Sequence, residues 1–328
     1  MKRRTLLAVF AVYGVRPPIA RAQRQAKVHR IGVLSARKVP SLDADPSFAA
    51  FFAGMRELGY VRGKDFVVEY RSADGDYERL PQLAAELVAL QVDVILAAGG
   101  PTVAAAQKAT TSIPIVIGTA GDPVGSGFVR SLARPGGNIT GLTDVAADMG
   151  FKLLDTLLSA VPGLTHVGVL MNPGNPSHAS YLASIDDGAR RARVRVLRAS
   201  ARNAREIEAA FDLMVREKVR GAIALTDPAF NPEQERIAAL AARHRLPCIS
   251  GHRQYVHAGG LISYGVDFAH NFHRAATYVD KILKGASPAE LPVEQASRFE
   301  LAVNLKAAKA LGLSIPGAVL VRADEVVQ

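Results

Sequence analysis

The chain of 328 residues has a single cysteine, no tryptophan and few aromatic side chains of any kind. One cysteine, Cys248 in "RLPCIS", makes no internal disulfide and no cysteine metal site, so stability must come from an apolar core. No apolar run approaches the ~20 residues that a membrane-spanning helix needs. The P-loop pattern is missing, because no Lys and Ser/Thr follow the second glycine of the glycine-rich turn at residues 99–100. G-x-G-x-x-G follows neither of the two strands that open the repeat described below, which removes the dinucleotide signature. There is no G-x-S-x-G elbow for a nucleophilic serine. His270-x-x-His273 and His252-x4-His257 are pairs without further ligands, and read as capping or solvent-facing histidines, so no metal site is expected.

What is present begins with a basic leader. In "MKRRTLLAVFAVYGVRPPIARAQ", Lys2, Arg3 and Arg4 precede an apolar stretch from Thr5 to Val15, and Ala20-Arg21-Ala22 is a small-x-small cleavage signal. This is the layout of a secretory signal peptide over residues 1–22. The string Arg3-Arg4-Thr5-Leu6-Leu7 leaves twin-arginine export open beside the general route. Residues 1–22 hold five basic and no acidic residues, so the formal charge of +10 falls to +5 once they are removed. Half of the basic excess therefore belongs to export. The rest is mixed with Asp and Glu, and only "RRARVRVLR" (Arg190 to Arg198) is locally basic, as the end of a helix and one face of a strand. Nucleic acid is not an expected partner. With its one cysteine far from the cleavage site, the mature protein is expected to be free, without a lipid anchor, in the periplasm.

The remaining chain repeats itself. "HRIGVLS" (His29 to Ser35) matches "HVGVLM" (His166 to Met171). Residues 67–102 and 194–229 each read strand, polar turn, amphipathic helix, apolar strand, turn. The helices carry Leu80, Leu83, Ala84, Leu87 and Val88 in the first copy, and Ile207, Ala210, Phe211 and Met214 in the second, at helical spacing. "SIPIVIG" and "RLPCISG" are proline-led strands that close each copy. The order β-α-β-α-β-α-β thus occurs twice, with an offset of roughly 130 residues. Apolar strands alternating with helices build parallel sheets covered on both faces. The expected fold is α/β: two doubly wound Rossmann-like lobes joined by a multi-strand hinge.

"ARPGGNITGLT" reads as a crossover strand between the lobes, "GGLISYGVD" as another, and a long helix follows from about Phe268 to Leu283. A last strand and helix follow in "RFELAVNLKAAKALGL". The expected lobes are 27–142 plus about 266–294, and 143–265 plus about 295–328. Several crossings make a hinge that closes on a ligand.

In doubly wound sheets ligands bind beyond the carboxyl ends of the strands. That selects Ser35, Gly99, Gly100, Thr102, Thr119 and Asp122 in the first lobe, and Asn172, Asp227 and His252 in the second. In "LAAGGPTVAAA", Pro101 suits a first helical position and the two glycines admit a close guest. The N–H groups of such a turn favour an anion, with a carboxylate a better candidate than a phosphate; the alternative is a plain strand-to-helix turn. Ser35 and Thr102 are candidate hydroxyl donors. Asp122 and Asp227 both precede proline and could be caps; of the two, Asp227 is preferred as acceptor of a ligand ammonium. Tyr264 could cover an apolar ligand or simply pack. No paired acid and base stands out, so no catalytic residue and no cofactor is expected.

"RIGVLS", residues 54–100, "IPIVIGTAGDPVGSGFVRSLARPGGNITGLT", "TDPAFN", "AGGLISYG" and "LKAAKALGLSIP" resemble the ABC-transporter substrate-binding proteins of the tryptophan/tyrosine type, "SLARPGGNITG" most specifically. The resemblance runs from about His29 to the C-terminus. It implies the type I periplasmic-binding-protein fold with three interlobe crossings, a monomer, and delivery of a small ligand to an inner-membrane ABC permease. Members resembling the tryptophan binders hold an amino acid by carboxylate and amine, but family ligands vary and the ligand itself does not carry over; the expected ligand is a small organic acid, an amino acid or aromatic carboxylate. His252-Arg253 departs from the family, where an acidic or aromatic residue is common, and points to a more anionic ligand. Two other readings share the scaffold: an enzyme, and a ligand-sensing partner of a membrane receptor.

Overall fold

The computed structural model describes residues 27–144 and 146–328. The leader at 1–22 lies outside the described residues. In chain order the first βα series is β1 (His29–Ser35), α1 (Pro46–Glu57), β2 (Phe66–Ser72), α2 (Leu80–Ala89), β3 (Val94–Ala98), α3 (Gly100–Ala109), β4 (Ile115–Thr119) and β5 (Ile139–Thr143). After α4 (Ala146–Ala160) the series recurs as β6 (His166–Met171), α5 (His178–Ala192), β7 (Arg195–Ser200), α6 (Ala204–Arg216), β8 (Gly221–Ala224), α7 (Gln234–Arg243), β9 (Cys248–Ser250), α8 (Gln254–His257) and β10 (Ile262–Val266). The chain finishes with α9 (Phe268–Leu283), β11 (Glu294–Gln295), β12 (Phe299–Asn304), α10 (Leu305–Ala310), α11 (Gly317–Leu320) and β13 (Glu325–Val327).

Two separate sheets result. One runs β2-β1-β3-β4-β5-β11 and the other β7-β6-β8-β9-β10-β12-β13, with β10–β12 the antiparallel pair in an otherwise parallel set. The repeat read from the sequence is therefore a repeat of architecture. Because strand side chains alternate in direction, each sheet feeds two cores. Val94 and Leu96 face α1 and α9, while Ile95 and Ala97 face α2 and α3. In the second sheet Ile223 faces α4 and α5, whereas Ala222 and Ala224 face α6 and α7. Cys248 is buried in the last of these cores, and burial pushes its thiol up to about 12, so it is an inert packing group.

Local chemistry sets the helix starts. Asp45 accepts from the N–H groups of Ser47 and Phe48, with Pro46 in the first turn of α1. Asn203 accepts from Glu206 N, and Glu206 reaches back to Arg202 N, a reciprocal cap for α6. Asp267 caps α9 through His270 N. The basic stretch 190–198 ends α5 and forms β7, where Arg198 pairs with Asp186.

The chain passes between the sheets after β5, between β10 and α9, and between β11 and β12. Helix α9 lies on α1 at an unusually close crossing. A Cβ on Gly54 would sit 2.7 Å from the His273 carbonyl oxygen and 2.9 Å from Ala276 Cβ. Gly54→Ala is therefore expected to destabilise the protein by about 1–3 kcal/mol through overpacking. Gly317→Ala, where nothing lies within 4 Å, is the matched control. Urea unfolding of both variants checks this; equal midpoints would refute it.

Candidate functional site

The carboxyl ends of both sheets face one another across a cavity of about 70 Å³, several times what one water needs. The first lobe contributes Gly99, Gly100, Thr119 and Ala120, together with Phe268 and Phe272 from α9. The second contributes Asn175, Ser177, Tyr181, Thr226, Pro228 and His252. Asp144, at the first interlobe crossing, completes the wall.

Asp144 follows β5 directly, and its N–H donates to Ala120 O at 3.2 Å, fixing it beside the end of β4. Its side chain is buried. Oδ2 accepts from Tyr181 O–H at 3.0 Å, but Oδ1 has no partner among the described residues. Burial pushes this carboxyl up to about 6, against the lowering effect of the Tyr181 bond. Thr119 Oγ1 and His252 Nδ1 are likewise buried and without a partner. Asn231 Oδ1 is a fourth such atom, so four orphaned polar atoms line one cavity. A buried polar atom without a partner costs about 1–3 kcal/mol, so their concentration marks a place for a hydrogen-bonding guest.

The "GGPT" turn opens α3 with Gly99 at φ +117°, a backbone region that suits glycine. A Cβ on Gly100 would meet Ser177 Oγ at 2.7 Å and Asn175 Oδ1 at 3.1 Å, both in the other lobe. The glycines therefore let the lobes approach as well as bordering the cavity. Thr102 does not reach it: its hydroxyl donates to Gly99 O at 2.7 Å, inside the turn.

A second interlobe contact is built on Asp227, which is fully buried. Its carboxylate accepts from Tyr77 O–H at 2.7 Å, Asn172 Nδ2 at 3.0 Å, Asn175 Nδ2 at 2.9 Å and Ala229 N at 2.9 Å. Tyr77 comes from the first lobe and the other donors from the second. Burial, with Asp227 beside it, holds the Tyr77 phenol far above its usual range, so it stays a donor. His178 is locked as a neutral ring: Nδ1 accepts from Asn172 N, and Nε2 faces Thr226 O at 3.1 Å. Burial lowers its pKa. Further along, Ser177 Oγ donates to Gly121 O at 2.9 Å, and Ser180 donates to Asp122. The lobes are closed upon each other.

Of the residues selected from the sequence, Gly99, Gly100, Thr119 and His252 line the cavity. The others lie elsewhere, for identifiable reasons. Ser35 donates to Arg37 O at 2.8 Å within its own loop. Asp122 closes a turn onto Gly125 N and meets Ser180, without capping a helix. Asn172 is held by Asp227, which is fully buried, bonded within the protein through both oxygens, and not part of the cavity wall. Tyr264 stacks on Phe299, ring centroids 6.1 Å apart, in the second lobe. Arg253 does not enrich the cavity in charge, because it pairs with Glu300 and Glu325. Asp144 and Tyr181 were not selected. Asp144 ends a strand just as Thr119 does, and the strand-end rule finds it once "NITGLT" is counted in the first sheet. Nothing local in the sequence marks Tyr181. Among the described residues, no group of three or more His, Cys, Asp or Glu is placed to hold a metal ion.

The model of a family described as ABC transporter substrate binding protein matches residues 30–327. A tyrosine-binding protein of Clostridioides difficile is 26% identical over 288 residues, 88% of this chain and 82% of that protein. An ABC domain from Streptococcus pneumonia, solved in complex with L-Trp, superposes with a TM-score of 0.84 at 24% identity, covering 92% of this chain and 100% of the other. The ligand-free, open structure of a Clostridium difficile substrate binding protein with adhesive properties gives 0.64 at 25% identity, with the same coverages.

Asp227→Asn can keep an oxygen for the three donors at Oδ1, but its NH2 then faces the Asn175 Nδ2 donor at Oδ2 and the charge that four donors surround is lost. It is expected to destabilise the chain by about 2–4 kcal/mol, whereas Tyr77→Phe, which removes one donor, should cost about 1–2 kcal/mol. Chemical denaturation of both variants tests the order; an unaffected Asp227→Asn would refute the four-donor account.

Proposed function

Because the chain belongs to the ABC transporter substrate binding protein family, we propose that it captures a small α-amino acid between its lobes and delivers it to an inner-membrane permease. One observation carries this reading: Asp144 Oδ1 and Thr119 Oγ1 are buried, unpartnered acceptors on the wall of the interlobe cavity. A ligand ammonium supplies donors to both. The ligand carboxylate then faces the N-terminal turn of α3 at Gly99 and Gly100, where backbone N–H groups and the helix dipole favour an anion. The relatives named for tyrosine and solved with L-Trp support an amino-acid ligand. In this reading the ammonium falls to Asp144 and not to Asp227.

The mechanism is a population shift. The moving bodies are 27–142 with about 266–294, and 143–265 with about 295–328. A ligand touching both gains its full contacts only when they close, so binding favours the closed form, which the permease reads. The closer superposition on the L-Trp complex than on the open relative supports a closed arrangement here. Export to the periplasm through the leader at 1–22 belongs to the same proposal. Among the described residues no helix is long and apolar enough to cross a membrane.

Asp144 makes the reading testable by pH. Its folded pKa lies above its ordinary value, so the ligand-free folded state binds the extra proton. Ionising Asp144 then costs stability as pH rises from about 4 to about 6, a loss of about 3 kcal/mol complete above that window. Asp144→Asn should therefore stabilise the ligand-free protein at pH 7, yet weaken amino-acid binding at least ~100-fold. Wild-type affinity should fall by about tenfold per pH unit below about 6, since binding an ammonium needs the ionised carboxylate. Titration calorimetry with a panel of amino acids, run from pH 5 to 8, checks both. An Asp144→Asn protein that binds as wild type does would sink the proposal.

A further inference from the structure

The cavity has two unlike ends. His252, Arg37 and Phe268 border both the cavity and a wider outer vestibule, whereas Asp144, Thr119 and Tyr181 border the cavity alone. A ligand held by its ammonium at Asp144 therefore sends its side chain towards His252. There Phe268 stacks against the imidazole, ring centroids 5.2 Å apart and planes 24° apart, and Phe272 supplies a second aromatic wall. Burial, aided by the charge of Arg37, pushes the imidazole down to about 4, so the ring is neutral at pH 7. Its Nδ1 is orphaned, and so is Oδ1 of Asn231, which borders the cavity and the vestibule as His252 does.

Charge at this end is balanced. Arg37 pairs with Asp45 at 2.5 Å, Arg253 with Glu300 and Glu325, and His257 with Glu325. Lys38 is exposed on the vestibule wall, outside the cavity. A carboxylate here would lose its hydration without gaining a free cation. A bare hydrocarbon would leave Nδ1 unpaired. A hydroxyl both donates and accepts, so it satisfies the neutral ring in either tautomer.

Building on the amino-acid reading above, we infer that His252 is the specificity residue for the ligand side chain, and that it selects an aromatic ring bearing a neutral hydroxyl over the same ring without one and over an acidic side chain. This replaces the more anionic ligand expected from His252-Arg253 in the sequence.

The test is calorimetric titration of L-tyrosine, L-phenylalanine and L-glutamate into the full mature protein and two variants. Wild type should bind tyrosine at least about tenfold tighter than phenylalanine, with glutamate weakest. His252→Phe keeps an aromatic ring at the stack but removes the nitrogen, and should bring tyrosine and phenylalanine to within about threefold of each other. His252→Gln keeps a hydrogen-bonding end and should retain most of the preference. Thermal melting without ligand confirms that each variant is folded. Equal wild-type affinities, a preference for glutamate, or an undiminished preference in folded His252→Phe would overturn the assignment while leaving the amino-acid reading intact. Binding of none of the three, nor of any other amino acid, would overturn both.

Discussion

A carboxylate removed from water must be surrounded by donors, and Asp227 meets that condition with groups drawn from three places. Asn172 and Asn175 come from the loop after β6, Ala229 from the loop after β8, and Tyr77 from the opposite lobe. One charge therefore sets the shape of two strand-end loops and closes the lobes over them. The loop after β6 in turn carries Ser177, which reaches Gly121 across the interface. The wall of the cavity is a consequence of that chain of contacts. The glycine pair at residues 99–100 is its steric counterpart, since any side chain at Gly100 would hold Ser177 and Asn175 away.

Two aspartates at strand ends have opposite fates. Asp227 is bonded by the protein through both oxygens, and its role is architectural. Asp144 has one oxygen bound by Tyr181 and the other turned to the cavity without a partner. Both are buried aspartates beyond the carboxyl end of a strand. What differs is whether neighbouring loops supply enough donors, and that number decides which carboxylate is available to a guest. His178 and His252 repeat the contrast: the first has both ring nitrogens engaged, the second has an orphaned Nδ1 beside the aromatic wall.

The duplicated α/β architecture was legible because it is periodic. Apolar runs such as "VDVILAA" and helices with Ile207, Ala210, Phe211 and Met214 on one face are properties of short windows, and they recur at a nearly constant offset. The rule that ligands lie beyond carboxyl strand ends selects one rim of each sheet, and Gly99, Gly100, Thr119 and His252 of that rim border the cavity. It could not separate these from Ser35, Thr102, Asp122 and Asn172, which sit at the same rim but bond within their own loops or across the lobe contact. Tyr264 was equally ambiguous, and a single neighbour from β12, Phe299, decided for packing.

Taken alone, the order of residues determined the two-lobe α/β plan, the order of its main strands and helices, and the set of strand ends where a ligand can lie. These follow from hydrophobic period, caps and turn chemistry, all of which act over a few residues. The tertiary structure decided which polar side chains are left over once the lobes close. Donor and acceptor pairing between residues as distant as Tyr77 and Asp227, or Asp144 and Tyr181, depends on how separate loops meet in space, and no local pattern encodes that meeting.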